Sequence, residues 1–195
     1  MARLHTSFVL GYHGCDRAVG ERVLAGELSL AHSERDYDWL GPGVYFWEAD
    51  PRRALEWATD RKAKGDYADP FVIGAAIDLG NCLDLMARDN LDLLAGAYAS
   101  LKKLHDEGAL EAMPSNVLGP DKLLRYLDCA VIRHLHYIVA ETGLPPFDTV
   151  RGLFTEGEPV FPGSGFTRKT HVQIAVRTTE SIKGFFRVPQ AAFEE

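Results

Sequence analysis

The sequence predicts an α+β domain in which helices are set against a largely antiparallel sheet system. Three observations carry that expectation. Strand-like segments crowd both ends of the chain, amphipathic helical patterns fill its middle, and no internal repeat or low-complexity tract interrupts them. The apolar run Phe8, Val9, Leu10 leads into GYHGC and reads as a buried first strand. Its glycine flanks are expected to let the backbone turn sharply or approach another molecule, displaying His13 at a strand end. Asp16 is placed to cap a short helix ending near Gly26. In GPGVYFWEADP, residues 41 to 51, a glycine–proline turn precedes an aromatic and β-branched strand, and Asp50–Pro51 starts a helix that runs to about Gly65. The apolar stretch from Phe71 to Leu79 predicts a central strand. Leu91, Leu94, Tyr98, Leu101 and Leu104 mark one face of a helix, and Leu123, Leu124, Leu127, Val131, Leu135 and Ile138 mark another; both are expected in the core. FDTVRGLFT, HVQIAVR and IKGFFRV then return to strands.

Size and composition set the frame for function. A chain of 195 residues with 46% hydrophobic content buries roughly 70% of its unfolded surface and is expected to form one domain, residues 1–195. The lack of a charged leader with an apolar run, and of any segment of about 20 apolar residues, predicts a cytoplasmic protein without membrane partners. Cys15, Cys82 and Cys129 are odd in number and widely spaced, as reduced thiols are. The net charge of −7 argues against a nonspecific nucleic-acid coat, while Arg168 and Lys169 leave room for a local basic patch.

Several chemistries are set aside on spacing. His134 and His136 point to different faces of a helix, and no Cys-x-x-Cys or His-Glu-x-x-His pattern accompanies them, so no metal is expected. Cys15 stands two residues from His13, yet thiol–imidazole pairs are usually assembled from distant segments. PGSGF, residues 162 to 166, lacks nucleophile-elbow spacing and reads as a flexible loop. GPG at 41 to 43 leads into a strand, whereas phosphate-cradling loops open a helix.

Three strand-associated pieces remain: YHG at 12 to 14, GPGVYF at 41 to 46 and VQIAVR at 172 to 177. Their order resembles the signature segments of ADP-ribosyltransferases of the diphtheria-toxin and poly(ADP-ribose) polymerase type. The resemblance spans almost the whole chain with few identical residues. It implies a split antiparallel sheet core with a central helical insertion, NAD as co-substrate, and transfer of ADP-ribose to an acceptor. His13 would bond a ribose hydroxyl of the adenosine half. Gly14 would offer its backbone donor and acceptor to the carboxamide of nicotinamide, and Tyr45 would stack on the cationic ring. Trp57 would close the sandwich; its competing reading is a core tryptophan beside Ala54, Leu55 and Ala58. Gln173 stands where the family normally carries glutamate and would hold a ribose hydroxyl. The competing reading makes it a solvent-facing strand residue alternating with Val172 and Ile174.

The acidic residues leave alternatives open. TEGEP, residues 155 to 159, imitates the Glu-x-Glu loop of another branch of the superfamily through Glu156 and Glu158, although Pro159 and the following glycines suggest a mobile loop. Glu48, between the aromatic strand and Asp50, reads as a surface or capping residue. The expectation is a mono-ADP-ribosyltransferase with His13, Tyr45 and Gln173 catalytic, and His13, Gly14, Tyr45 and Trp57 binding NAD. The alternative is an NAD-binding module without turnover. A third reading, an RNA 2′-phosphotransferase of the same general fold, requires arginines whose positions the sequence does not supply. The acceptor is expected to be protein rather than nucleic acid, because the chain is acidic. Small transferases of this type also occur as toxins or defence effectors, which makes a neutralising partner protein an open expectation.

Overall fold

The computed structural model describes residues 8–119 and 121–194. Strand β1 (Phe8–Asp16) runs straight through GYHGC, and helix α1 (Arg17–Leu24) follows at once. Asp16 caps α1, its carboxylate accepting from the Ala18 amide at 3.0 Å. A loop then leads to β2 (Val44–Glu48) and α2 (Pro51–Ala63), with Asp50 as N-cap and Pro51 in the first turn. Beyond them lie β3 (Pro70–Asp78), β4 (Cys82–Asp84), α3 (Arg88–Asp106), the short β5 (Asn116–Val117) and β6 (Leu124–Arg125), and α4 (Tyr126–Glu141). The chain closes with β7 (Thr149–Phe154), β8 (His171–Val176) and β9 (Ile182–Arg187).

Among the described residues, seven strands form one sheet in the order β4-β7-β8-β2-β1-β3-β9, while β5 and β6 pair separately. Every adjacent pair in the large sheet is antiparallel except β4 with β7. The expected mixed architecture, helices on a mostly antiparallel sheet, is therefore present. Apolar residues cover both faces. Val44, Phe46, Ile73, Ile77, Ile174 and Val176 pack with Val23 of α1 on one side. On the other, Val150 and Ala175 pack with Leu101 of α3 and Ile132 and Leu135 of α4, and Trp47 packs with Ala54 of α2.

One seam in this sheet is incomplete. β1 pairs with β3 from Phe8↔Asp78 to Asp16↔Pro70, but its register with β2 contains only Gly11↔Glu48 and Tyr12↔Trp47. The two strands part at His13. Leu10 accepts from the Ala49 amide on the β2 side and Arg17 donates to Asp69 on the β3 side. Because backbone polar groups alternate along a strand, the peptide edge of Gly14 is the one turned toward the split.

Several sequence expectations change here. GYHGC is not a turn. Its glycines are required by close approach: a Cβ on Gly11 would lie 2.6 Å from Ile77 Cδ1 and 2.8 Å from Phe46 Cβ, and one on Gly14 only 2.3 Å from the Ala54 carbonyl. Phe8 and Leu10 are exposed, because they share one strand face while Val9, on the other, is the residue that packs against the core. On α3 the buried positions are Ala97 and Leu101, while Leu91, Tyr98 and Leu104 are exposed, so the helix lies on the periphery. Leu123 and Leu124 precede α4; Leu124 pairs with Val117 in the β5–β6 ladder, and Arg125 has non-helical backbone angles.

Candidate functional site

A cavity of about 440 Å³ lies at the split between β1 and β2 and is lined by residues from both sides of the sheet. His13, Cys15, Val19 and Leu30 line it from the α1 side, while Tyr45, Trp47, Trp57 and Gln173 line it from the other. Four of the five residues expected at an NAD site, His13, Tyr45, Trp57 and Gln173, thus share one cavity although they come from separate segments. Gly14 lies buried between them and α2.

His13 spans the seam with its side chain. Its Nδ1 lies 2.8 Å from the carbonyl oxygen of Tyr45, which can only accept, so Nδ1 carries the proton. Burial lowers the imidazole pKa more strongly than this bond raises it, which keeps the ring neutral and leaves Nε2 as an acceptor. The bond also replaces the ladder interaction that β1 and β2 no longer make at this point.

Tyr45 is fixed at both ends. Its hydroxyl donates to the Gly41 carbonyl at 2.8 Å and accepts from the Leu40 amide at 3.1 Å. Gly41 holds φ at +75°, the left-handed conformation that closes this turn at no steric cost. Burial raises the phenol pKa well above its ordinary value, so the ring is presented as a neutral aromatic surface. Trp57 lines the same cavity, but its ring neighbours are Trp47 at 5.7 Å and Tyr67 at 5.9 Å rather than Tyr45. Trp47 stands on the same face of β2 as Tyr45 and packs with Ala54 of α2, so the cavity's aromatic wall extends beyond the Tyr45 and Trp57 expected from the sequence.

Gln173 does not face solvent. β8 lies between β7 and β2, Trp47 is its cross-strand neighbour, and Trp39 Nε1 donates to its side-chain carbonyl at 2.6 Å. A carbonyl oxygen has two lone pairs, so one acceptor position remains. Cys15 reaches the cavity too, but burial and the neighbouring Asp16 push its thiol up to about 11, far from a reactive thiolate.

The acidic residues separate clearly. Glu48 is neither a surface residue nor a cap: both its oxygens accept from Arg151, at 2.5 and 2.8 Å, and Arg151 also meets Asp84 at 3.0 Å. This half-buried cluster joins β2, β4 and β7. Glu158 is exposed, but Glu156 turns inward and meets Arg53 at 2.8 Å. The connection that carries them is a hairpin extension held by Lys169 and Arg168 amides on the Glu156 and Glu158 carbonyls. Glu156 and Arg53 line an adjoining chamber of about 310 Å³ that shares Arg35, Tyr37, Trp39, Trp47, Trp57 and Gln173 with the first.

Sequence reasoning passed over Trp39, Trp47, Arg53 and His171. Two of them had a readable signal, since Trp47 is two residues from Tyr45 and His171 two from Gln173, the spacing that shares one strand face. Trp39 had none, because only the fold brings it to Gln173. No group of three or more His, Cys, Asp or Glu side chains suited to a metal ion occurs among the described residues, and no helix among them is long and apolar enough to cross a membrane. Comparison of the chain with protein-family models, with curated proteins and with solved structures finds no match.

Proposed function

We propose that this protein is a mono-ADP-ribosyltransferase that binds NAD in the split between β1 and β2, cleaves its nicotinamide–ribose bond and passes ADP-ribose to an acceptor. The observation that carries the reading is the seam itself: it gathers His13, Tyr45, Trp57 and Gln173 in one cavity. On this reading the split sheet is an ADP-ribosyltransferase core and α3 with α4 its helical insertion.

The chemistry asks little beyond positioning and charge. As the bond from ribose C1′ to the ring nitrogen breaks, its electron pair neutralises the pyridinium, and positive charge spreads over C1′ and the ring oxygen. The aromatic wall receives the flat cationic ring, and water excluded from the seam strengthens every remaining polar contact. His13 Nε2 accepts from a ribose hydroxyl, and the second lone pair of the Gln173 carbonyl accepts from another. A neutral amide gives this transition state less support than a carboxylate would, so turnover is expected to be slow unless the acceptor contributes. The acceptor is proposed to be protein, following the acidic balance; label from NAD in separated protein and RNA fractions checks this, and label in RNA alone overturns it.

The second reading, binding without turnover, draws support from one contact: the Trp39 bond already occupies one side of the Gln173 carbonyl. Titration with NAD tests the site common to both readings. Because Trp39, Trp47 and Trp57 line the cavity, NAD should change tryptophan fluorescence, and Tyr45→Ala should weaken binding by roughly 1–3 kcal/mol. Unchanged NAD affinity in both His13→Ala and Tyr45→Ala, with the fold intact by circular dichroism, excludes this pocket.

A further inference from the structure

The chamber beyond Gln173 holds polar groups that the seam chemistry does not use. Arg53 is 8% exposed, Trp47 4% and His171 6%, yet Arg53 Nε and Nη1, Trp47 Nε1 and His171 Nε2 are buried without a hydrogen-bond partner among the described residues. All three residues line the chamber. Leaving such groups unpaired costs about 1–3 kcal/mol each, so a native cluster of them calls for an occupant.

The cluster also indicates what the occupant is. Arg53 is held by its place in the first turn of α2, where its amide donates to the Asp50 cap at 2.9 Å. Its guanidinium makes one hydrogen bond, from Nη2 to Glu156, with the Glu56 carboxylate 3.7 Å from Nη1. A single carboxylate oxygen therefore leaves the other Arg53 donors and the Trp47 indole N–H unmatched. A phosphate carries more acceptor oxygens and matches a planar guanidinium through two parallel bonds. His171 supplies the complementary acceptor: Nδ1 lies 2.6 Å from the Lys169 carbonyl and holds the proton, so Nε2 can take a hydroxyl hydrogen. Arg35, Arg61 and Lys64 stand on the same walls against the carboxylates of Asp60 and Glu156, a cationic excess in a chain of net charge −7.

We infer that this chamber is a phosphate subsite anchored by Arg53, in which the Glu156 carboxylate holds the place of the anion until a phosphate displaces it. The phosphate belongs either to NAD itself or to the acceptor, and the assignment of the neighbouring seam to NAD rests on the function proposed above. Glu156 is suited to the exchange because its side chain reaches Arg53 from a hairpin extension, while its main chain stays fixed by the Lys169 amide.

Calorimetric titration of the full chain and of Arg53→Gln, Arg53→Lys and Glu156→Gln tests this, using ADP-ribose, ribose 5-phosphate, and nicotinamide riboside, which has no phosphate. Arg53→Gln should weaken phosphate ligands at least tenfold, Arg53→Lys less, and Glu156→Gln should tighten them several-fold; nicotinamide riboside should not respond. If ADP-ribose follows this pattern and excludes ribose 5-phosphate, the phosphate is that of NAD. If ribose 5-phosphate follows it with ADP-ribose already bound, the phosphate is the acceptor's. Phosphate ligands that bind the wild-type chain but respond to neither Arg53 nor Glu156 substitution overturn the inference. Failure of ADP-ribose to bind, with ribose 5-phosphate still dependent on Arg53, overturns the NAD reading and leaves the subsite standing. Arg53→Lys and Glu156→Gln keep the test decisive if Arg53→Gln does not fold.

Discussion

Gly14→Ala adds one methyl group at the point where the seam, α2 and the cavity meet. The new Cβ would lie 2.3 Å from the Ala54 carbonyl oxygen and 3.3 Å from Ala58 Cβ. An ordinary contact to that oxygen needs about 1 Å more, and a Cβ has no rotamer with which to avoid a backbone oxygen, so the clash can be relieved only by backbone movement. α2 must lift from β1. Overpacking of this kind costs about 1–3 kcal/mol, and the shift carries Trp57 with it. A displacement near 1 Å at a binding wall is enough to reduce turnover by about 100-fold. Gly96→Ala is the matched control: Gly96 is exposed in mid-α3, nothing lies within 4 Å of its added Cβ, and the helix should gain up to about 1 kcal/mol. Urea unfolding of both variants, followed by NAD titration, reads the contrast. A Gly14→Ala protein as stable as wild type with unaltered NAD affinity would refute the packing argument.

Tyr45→Phe keeps the ring and removes the hydroxyl that accepts from Leu40 and donates to Gly41, so stability should fall by about 1–3 kcal/mol while NAD affinity stays within about twofold. An equal loss of binding in Tyr45→Phe and Tyr45→Ala would make the hydroxyl a ligand group instead. Stability should also fall with acidity through His136, whose imidazole burial and the nearby Arg177 push down to about 4. The unfolded ring titrates near 6.5, so this contribution is complete above that pH and is lost at up to about 1.4 kcal/mol per pH unit as pH falls toward 4. Urea midpoints at pH 7 and pH 5 should converge in His136→Leu relative to wild type; an identical acid response in both proteins counts against the assignment.

Local signals in the sequence were sufficient where one segment determines its own structure. Asp16 and Asp50–Pro51 marked two helix starts because caps act within a turn of themselves. The aromatic strand and the three late strands were readable from composition for the same reason. What was not legible depended on distant neighbours. The glycines of GYHGC looked like turn residues, since nothing local reveals that Ala54 and Phe46 will press against them. Alternation left Gln173 with a solvent-facing reading beside the active-site one, since nothing local reveals that Trp39 will bond its side chain. The leucines of α3 formed a convincing stripe, but the cluster shared with α4 buries Ala97 and Leu101, half-buries Leu94 and leaves Leu91 and Leu104 exposed. At the site, Trp57 was singled out while Trp47, its ring neighbour at 5.7 Å, was not, because only the packing of α2 on β2 brings the two rings together.

The central claim is that Gln173 works on NAD held in the seam, and nicotinamide release at saturating NAD by wild type and Gln173→Ala measures it most directly. The account predicts release by the wild-type protein and a loss of about tenfold or more in Gln173→Ala, with NAD affinity nearly unchanged, because the lost hydrogen bond matters most as charge develops on the ribose. Wild-type turnover retained in Gln173→Ala, with release abolished by Glu156→Ala, would contradict it and move the catalytic edge to the β7–β8 loop.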